Sequence, residues 1–201
     1  MGNAMTDLDR RIDDIGAIRA MMERASKFLS LSGLSGISAG CVALAGAWAA
    51  DRILVSGAPA GSVAGYLILD AALVLLASLG LVLYFSRRLA RRKGIALWGS
   101  AAKYVALALA GPLLTGGALC VILYARDLSG LIPACTLVFY GLALLNAGNF
   151  TFGEVRILGA VEVLLGLCAA AIPGSALLVW GAGFGVCHIL YGIIHFRKYE
   201  R

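Results

Sequence analysis

The chain alternates long apolar runs with short polar breaks. Apolar runs cover about 28–50, 62–86, 96–124, 131–145, 155–172 and 176–196. A helix needs roughly 20 mostly apolar residues to cross the hydrocarbon core of a bilayer, so each run reads as one span. The breaks carry turn formers: Gly57 and Pro59 in the first, Arg126 and Asp127 in the third, Asn146, Asn149 and Gly153 in the fourth, and Pro173-Gly174 in the fifth. Pro112 inside the third run predicts a kink, because proline removes one helical hydrogen bond. The expected fold class is all-α, a polytopic transmembrane bundle of about six spans (residues 28–201).

Residues 1–27 follow a different pattern. Leu8, Ile12, Ile15, Met22 and Ala25 form one apolar stripe at helical spacing among five basic and five acidic residues. This predicts an amphipathic helix on the cytoplasmic face, preceding the membrane domain. The Ala47-Trp48-Ala49 triplet resembles a signal-peptidase site. The long acidic segment ahead of it argues instead for an uncleaved first span.

Composition agrees with the spans. Of 201 residues 61% are hydrophobic and 14% charged, against about 25% charged in an ordinary soluble domain. The formal charge of +6 belongs to the loops and does not call for direct nucleic-acid binding. Its placement orients the protein, because Lys and Arg gather on the cytoplasmic side. With six spans and both termini inside, the inner segments hold five basic residues before residue 28, six in the basic loop 87–103, Arg156, and three in the tail. Only Arg52 and Arg126 of the 17 fall outside. Arg87, Arg88, Arg91, Arg92 and Lys93 form the densest block and read as a topology signal and lipid-headgroup contact. The expected location is the inner membrane of a bacterium.

Ionisable groups at membrane depth are costly and draw attention first. Asp70 lies about 13 Å into the second span at 1.5 Å per residue. As a substrate or proton site it competes with a plain hydrogen bond to a serine or backbone carbonyl. On the fifth run Gly159, Glu162, Gly166 and Ala169 share one face. On the sixth Gly181, Gly185, His188, Gly192 and His195 follow the same rhythm. The tight turn at Pro173-Gly174 makes these helices antiparallel neighbours and brings Glu162 and His188 to within about one helical turn in depth. A hydrogen bond or ion pair between them is expected. It serves either as a proton-linked site or as interhelical glue. His195, Glu154 and Arg156 sit near the cytoplasmic boundary.

Other chemistry has little footing. The chain has no phosphate-binding loop, nucleophile elbow, zinc-protease motif or dinucleotide fingerprint. Its five cysteines form no C-x-x-C pair and read as small buried hydrophobes. With two histidines seven apart on one helix, haem ligation within one protomer is disfavoured. No metal or cofactor is expected.

Met21-Met22-Glu23-Arg24-Ala25-Ser26-Lys27-Phe28-Leu29-Ser30-Leu31-Ser32-Gly33-Leu34-Ser35-Gly36, Leu137-Val138-Phe139-Tyr140-Gly141 and Gly183-Phe184-Gly185-Val186-Cys187-His188-Ile189-Leu190-Tyr191-Gly192 resemble a group of uncharacterised bacterial multi-pass inner-membrane proteins. The resemblance implies an integral membrane protein, in some cases accompanied by a small winged-helix regulator, and implies no activity. Three functions remain from the sequence. The first is a structural, regulatory or sensing membrane protein, with a cytoplasmic partner at residues 1–27 or at the basic loop and with homo-oligomers open to it. The second is a small proton-coupled carrier using Glu162, His188 and Asp70. The third is a haem protein or other membrane enzyme.

Overall fold

The computed structural model describes residues 32–94, 98–172 and 174–201. The amphipathic segment 1–27 lies outside them, with the partner expectation placed on it. Six helices follow in order: α1 Gly33–Leu54, α2 Ala60–Lys93, α3 Ser100–Ala125, α4 Ile132–Ala147 entered through a 3₁₀ turn at Ser129–Leu131, α5 Gly153–Ala171, and α6 Ala176–Tyr199. No strand occurs among the described residues. Five helices (α1, α2, α3, α4 with its leading turn, and α6) are long and apolar enough to cross a membrane. Helix α5 has 19 residues, and Glu154, Arg156 and Glu162 leave it no 18-residue stretch with fewer than three charges. The chain is a multi-pass helical bundle. Helix α3 runs unbroken through Pro112.

Helix α6 is the centre of the packing. Helix α1 lies against one side of it, α4 and α5 against the other, α2 flanks α1, and α3 flanks α4. Lipid offers no water to expel between helices, so close backbone approach has to supply the attraction. Glycine permits it at two seams. Between α1 and α6, a Cβ on Gly192 would stand 2.5 Å from the Gly33 carbonyl oxygen, and one on Gly40 would stand 2.6 Å from that of Gly185. Between α4 and α5, a Cβ on Gly159 would stand 2.7 Å from the Gly141 oxygen.

These partners differ from those expected. The small-residue faces of the last two helices were expected to meet each other. The α5 glycines lie instead on α4, and the α6 glycines Gly185 and Gly192 lie on α1. A tight turn makes two helices neighbours without deciding which neighbour gains the closest fit.

The basic stretch also differs. Rather than opening a loop at Arg87, it forms the last two turns of α2, because no helix breaker occurs before Gly94 and because Leu89 and Ala90 are buried. Gly94, at φ 64°, caps the helix with its N–H on the Ala90 and Arg91 carbonyls, a conformation that suits glycine. Arg91, Arg92 and Lys93 then meet the negative end of the helix dipole.

Tertiary contacts gather the basic groups at one end. The Glu200 carboxylate accepts from Ser32 Oγ at 3.1 Å and from the Gly33 N–H, joining the end of α6 to the start of α1. Lys198 donates to Glu154 at 2.5 Å, joining α6 to α5. Arg156 donates to Asn149 across the α4–α5 turn. The Tyr104 and Phe150 rings stack at 5.6 Å and bring in the start of α3. Among the described basic residues only Arg52, paired with Asp51 at 2.5 Å, and Arg126 belong to the opposite end.

Candidate functional site at Glu162 and His188

The buried face of α5 is Val155, Leu158, Gly159, Glu162, Gly166 and Ala169, the three-four spacing read from sequence. Glu162 is completely buried on it. Its carboxylate fits because α6 presents Gly183 there: a Cβ on Gly183 would stand 2.4 Å from Glu162 Oε2 and 2.6 Å from Leu137 Cδ2.

His188 supplies the opposing group. Its Nδ1 lies 3.3 Å from Glu162 Oε1 and 3.2 Å from the Gly183 carbonyl oxygen, and its Nε2 lies 2.9 Å from the Tyr140 hydroxyl. A carbonyl only accepts, so Nδ1 carries a proton and donates it to Gly183. In neutral His188, Nε2 then accepts from Tyr140; in the imidazolium, Nε2 donates to the Tyr140 oxygen. Both Glu162 oxygens lack an aligned hydrogen bond. The 3.3 Å contact with Nδ1 is therefore electrostatic, since the Nδ1 proton is aimed at Gly183.

The backbone of α6 makes this geometry. Regular α-helix ends at Trp180, a π-helix covers Gly181–Cys187, and α-helix resumes at His188. Gly183 and His188 are five residues apart, the π-helical separation, so the wider turn sets this carbonyl beside the ring. Aromatic rings close the rest. Phe184 stacks on His188 with centroids 5.9 Å apart, Tyr140 packs on Phe184 at 4.9 Å, and Trp180 on Phe184 at 4.9 Å. Trp180 is fixed by a bond from its indole N–H to Thr136 Oγ1 at 3.2 Å.

The expected Glu162–His188 contact is present. Asp70 is elsewhere: it lies in the α1–α2 seam with Oδ2 3.7 Å from where a Gly46 Cβ would stand, and it has no hydrogen bond or ion pair to the other two. His195, read as a boundary residue, is fully buried, with Phe152 edge-on at 4.5 Å and Tyr199 and Tyr191 at 4.8 and 5.5 Å. The two histidines thus face different neighbours. Tyr140 and Gly183 escaped the sequence reading. The clue was the Gly181, Gly183, Gly185 spacing of two, which breaks the three-four rhythm. The cysteine reading is corrected in part: Cys135 is buried, while Cys41 and Cys168 are exposed on the outer faces of their helices. Among the described residues no three His, Cys, Asp or Glu side chains gather as a metal-ligand set.

Comparison with protein-family models, with curated proteins and with solved structures gives no match.

Proposed function

We propose that this chain is a non-catalytic integral membrane protein with a structural, regulatory or sensing role, seated in a bacterial inner membrane with its basic end in the cytoplasm. One observation carries the reading against proton-coupled transport. Glu162 is wholly buried and His188 is 7% exposed, and both are held among Tyr140, Leu137, Phe184 and Gly183. A carrier has to expose its site to each side in turn. A sealed pair tied to three helices fastens α4, α5 and α6 together and sets their register.

The test is proton flux into proteoliposomes loaded with a pH-sensitive dye. Under an imposed potential, the wild type and Glu162→Gln are expected to match empty vesicles. Uptake by the wild type that Glu162→Gln abolishes would replace this reading with transport. The orientation rests on the basic end and the positive-inside preference. A reporter fused after Arg201 is expected to be active when it requires the cytoplasm and silent when it requires export. The opposite pattern would invert the topology. The resemblance of residues 21–36 and 183–192 to bacterial inner-membrane proteins supports the location. A cytoplasmic partner would meet residues 1–27 or the basic end of α2.

A further inference from the structure

Where α1 begins, α2 ends and the tail passes, an open cleft is lined by Ser32, Leu34, Phe85, Arg88, Leu89, Arg92 and Glu200. Phe85, Arg88, Leu89 and Arg92 share one face of α2 at three-four spacing, so the lining combines guanidinium and apolar groups. Arg88 and Arg92 lie one turn apart on α2, and neither makes a hydrogen bond or ion pair among the described residues. Leu34, Phe85 and Leu89 supply an apolar wall. Glu200 is the one carboxylate among the described lining residues; its oxygens accept from Ser32 and Gly33 and it forms no ion pair with either arginine, so two guanidinium charges share the cleft with a single carboxylate. Arg87 and Arg91, on the same two turns, do not line the cleft.

We infer that this cleft binds one anionic phospholipid, its phosphate held by Arg88 and Arg92 and the start of an acyl chain lying along Leu34, Phe85 and Leu89. Guanidinium groups present paired N–H donors that match phosphate oxygens. The location is where a lipid phosphate would be found: α2 leaves its apolar stretch at Tyr84 and Phe85, and the arginines follow at once. A free phosphate would satisfy the arginines and leave the apolar wall unused, so the cleft favours a lipid.

The experiment uses the full chain in detergent and native mass spectrometry with three probes: phosphatidylglycerol, phosphatidylcholine and inorganic phosphate. The wild type is expected to retain one phosphatidylglycerol in preference to phosphatidylcholine, and inorganic phosphate is expected not to displace it. The pair Arg88→Gln with Arg92→Gln is expected to weaken retention about thirtyfold or more, through loss of the charge-assisted hydrogen bonds that two guanidinium groups make to one phosphate. The pair Arg87→Gln with Arg91→Gln removes the same charge from the same turns and is expected to leave retention within about threefold, because exposed charges that do not touch the phosphate act only through solvent and salt. All four side chains are exposed, so neither pair disturbs buried packing. Equal loss in both pairs would reduce the effect to diffuse charge and overturn the site. Equal retention of phosphatidylcholine, or displacement by inorganic phosphate, would overturn it as well.

Discussion

Gly192→Ile is expected to force α1 away from α6 and to lower stability in detergent by at least about 3 kcal/mol. A Cβ at this position meets the Gly33 carbonyl oxygen at 2.5 Å, the Ile37 nitrogen at 2.6 Å and Ile37 Cγ1 at 2.8 Å. Two of those atoms are backbone, so no side-chain rotation relieves the clash and a whole helix has to move. The control is Gly65→Ala on α2, where an added Cβ has nothing within 4 Å. That change is expected to hold stability level or raise it by up to about 1 kcal/mol through helix propensity. Thermal melts of the two variants should therefore move apart. If Gly192→Ile melts with the parent, α1 and α6 do not form the tight seam described above.

The second large effect is an asymmetry within the buried pair. His188→Leu is expected to cost about 3–5 kcal/mol, the range for breaking a buried pair from one side. It leaves Glu162 wholly buried without the imidazole that faces it at 3.3 Å, and it leaves the Tyr140 hydroxyl without its hydrogen bond to His188. Glu162→Leu is expected to cost less than half as much. Neutral His188 keeps both of its hydrogen bonds, to the Gly183 carbonyl and from Tyr140, and the lost contact was unaligned. The double variant should be more stable than His188→Leu alone, because removing the stranded carboxyl offsets its burial. Denaturation of the three variants and the parent completes the cycle. Simple additivity, or a larger loss for Glu162→Leu, would mean that the two side chains do not form the pair seen here.

Much of the fold was legible because lipid imposes one rule on every span. Backbone groups in hydrocarbon have to be satisfied within the segment, so an apolar run of sufficient length becomes a helix. The course of α5, expected over about 155–172 and found at Gly153–Ala171, and its buried face with Glu162 at the centre were readable from spacing. The contact between Glu162 and His188 was readable too, since a short turn constrains depth on two antiparallel helices.

Other features were not legible, for local reasons. The π-helix at Gly181–Cys187 is a small change in hydrogen-bond partner that glycine permits and tertiary packing selects. No run of residue types specifies it. Because His188 follows directly, that change decides which carbonyl its ring meets. His195 looked like a boundary residue from its position beside Arg197 and Lys198. Its burial depends on Phe152, from the α4–α5 turn 43 residues earlier, and on Tyr199 from the tail.

The sequence by itself determined that the chain spans the membrane, where most helices run, and that basic residues collect in alternate breaks between the apolar runs. Those properties follow from transfer of single segments into lipid and from charge counted along the chain. Tertiary structure decided which glycine face meets which helix, that residues 87–93 continue α2, and that two of their five charges border an apolar cleft. It also decided that Glu162 and His188 are closed over by Tyr140, Gly183 and Phe184. The physical reason is that apolar helices are nearly equivalent to lipid in hydrophobicity. Their partners are chosen by shape and by a few hydrogen bonds, and both exist only once the helices are assembled.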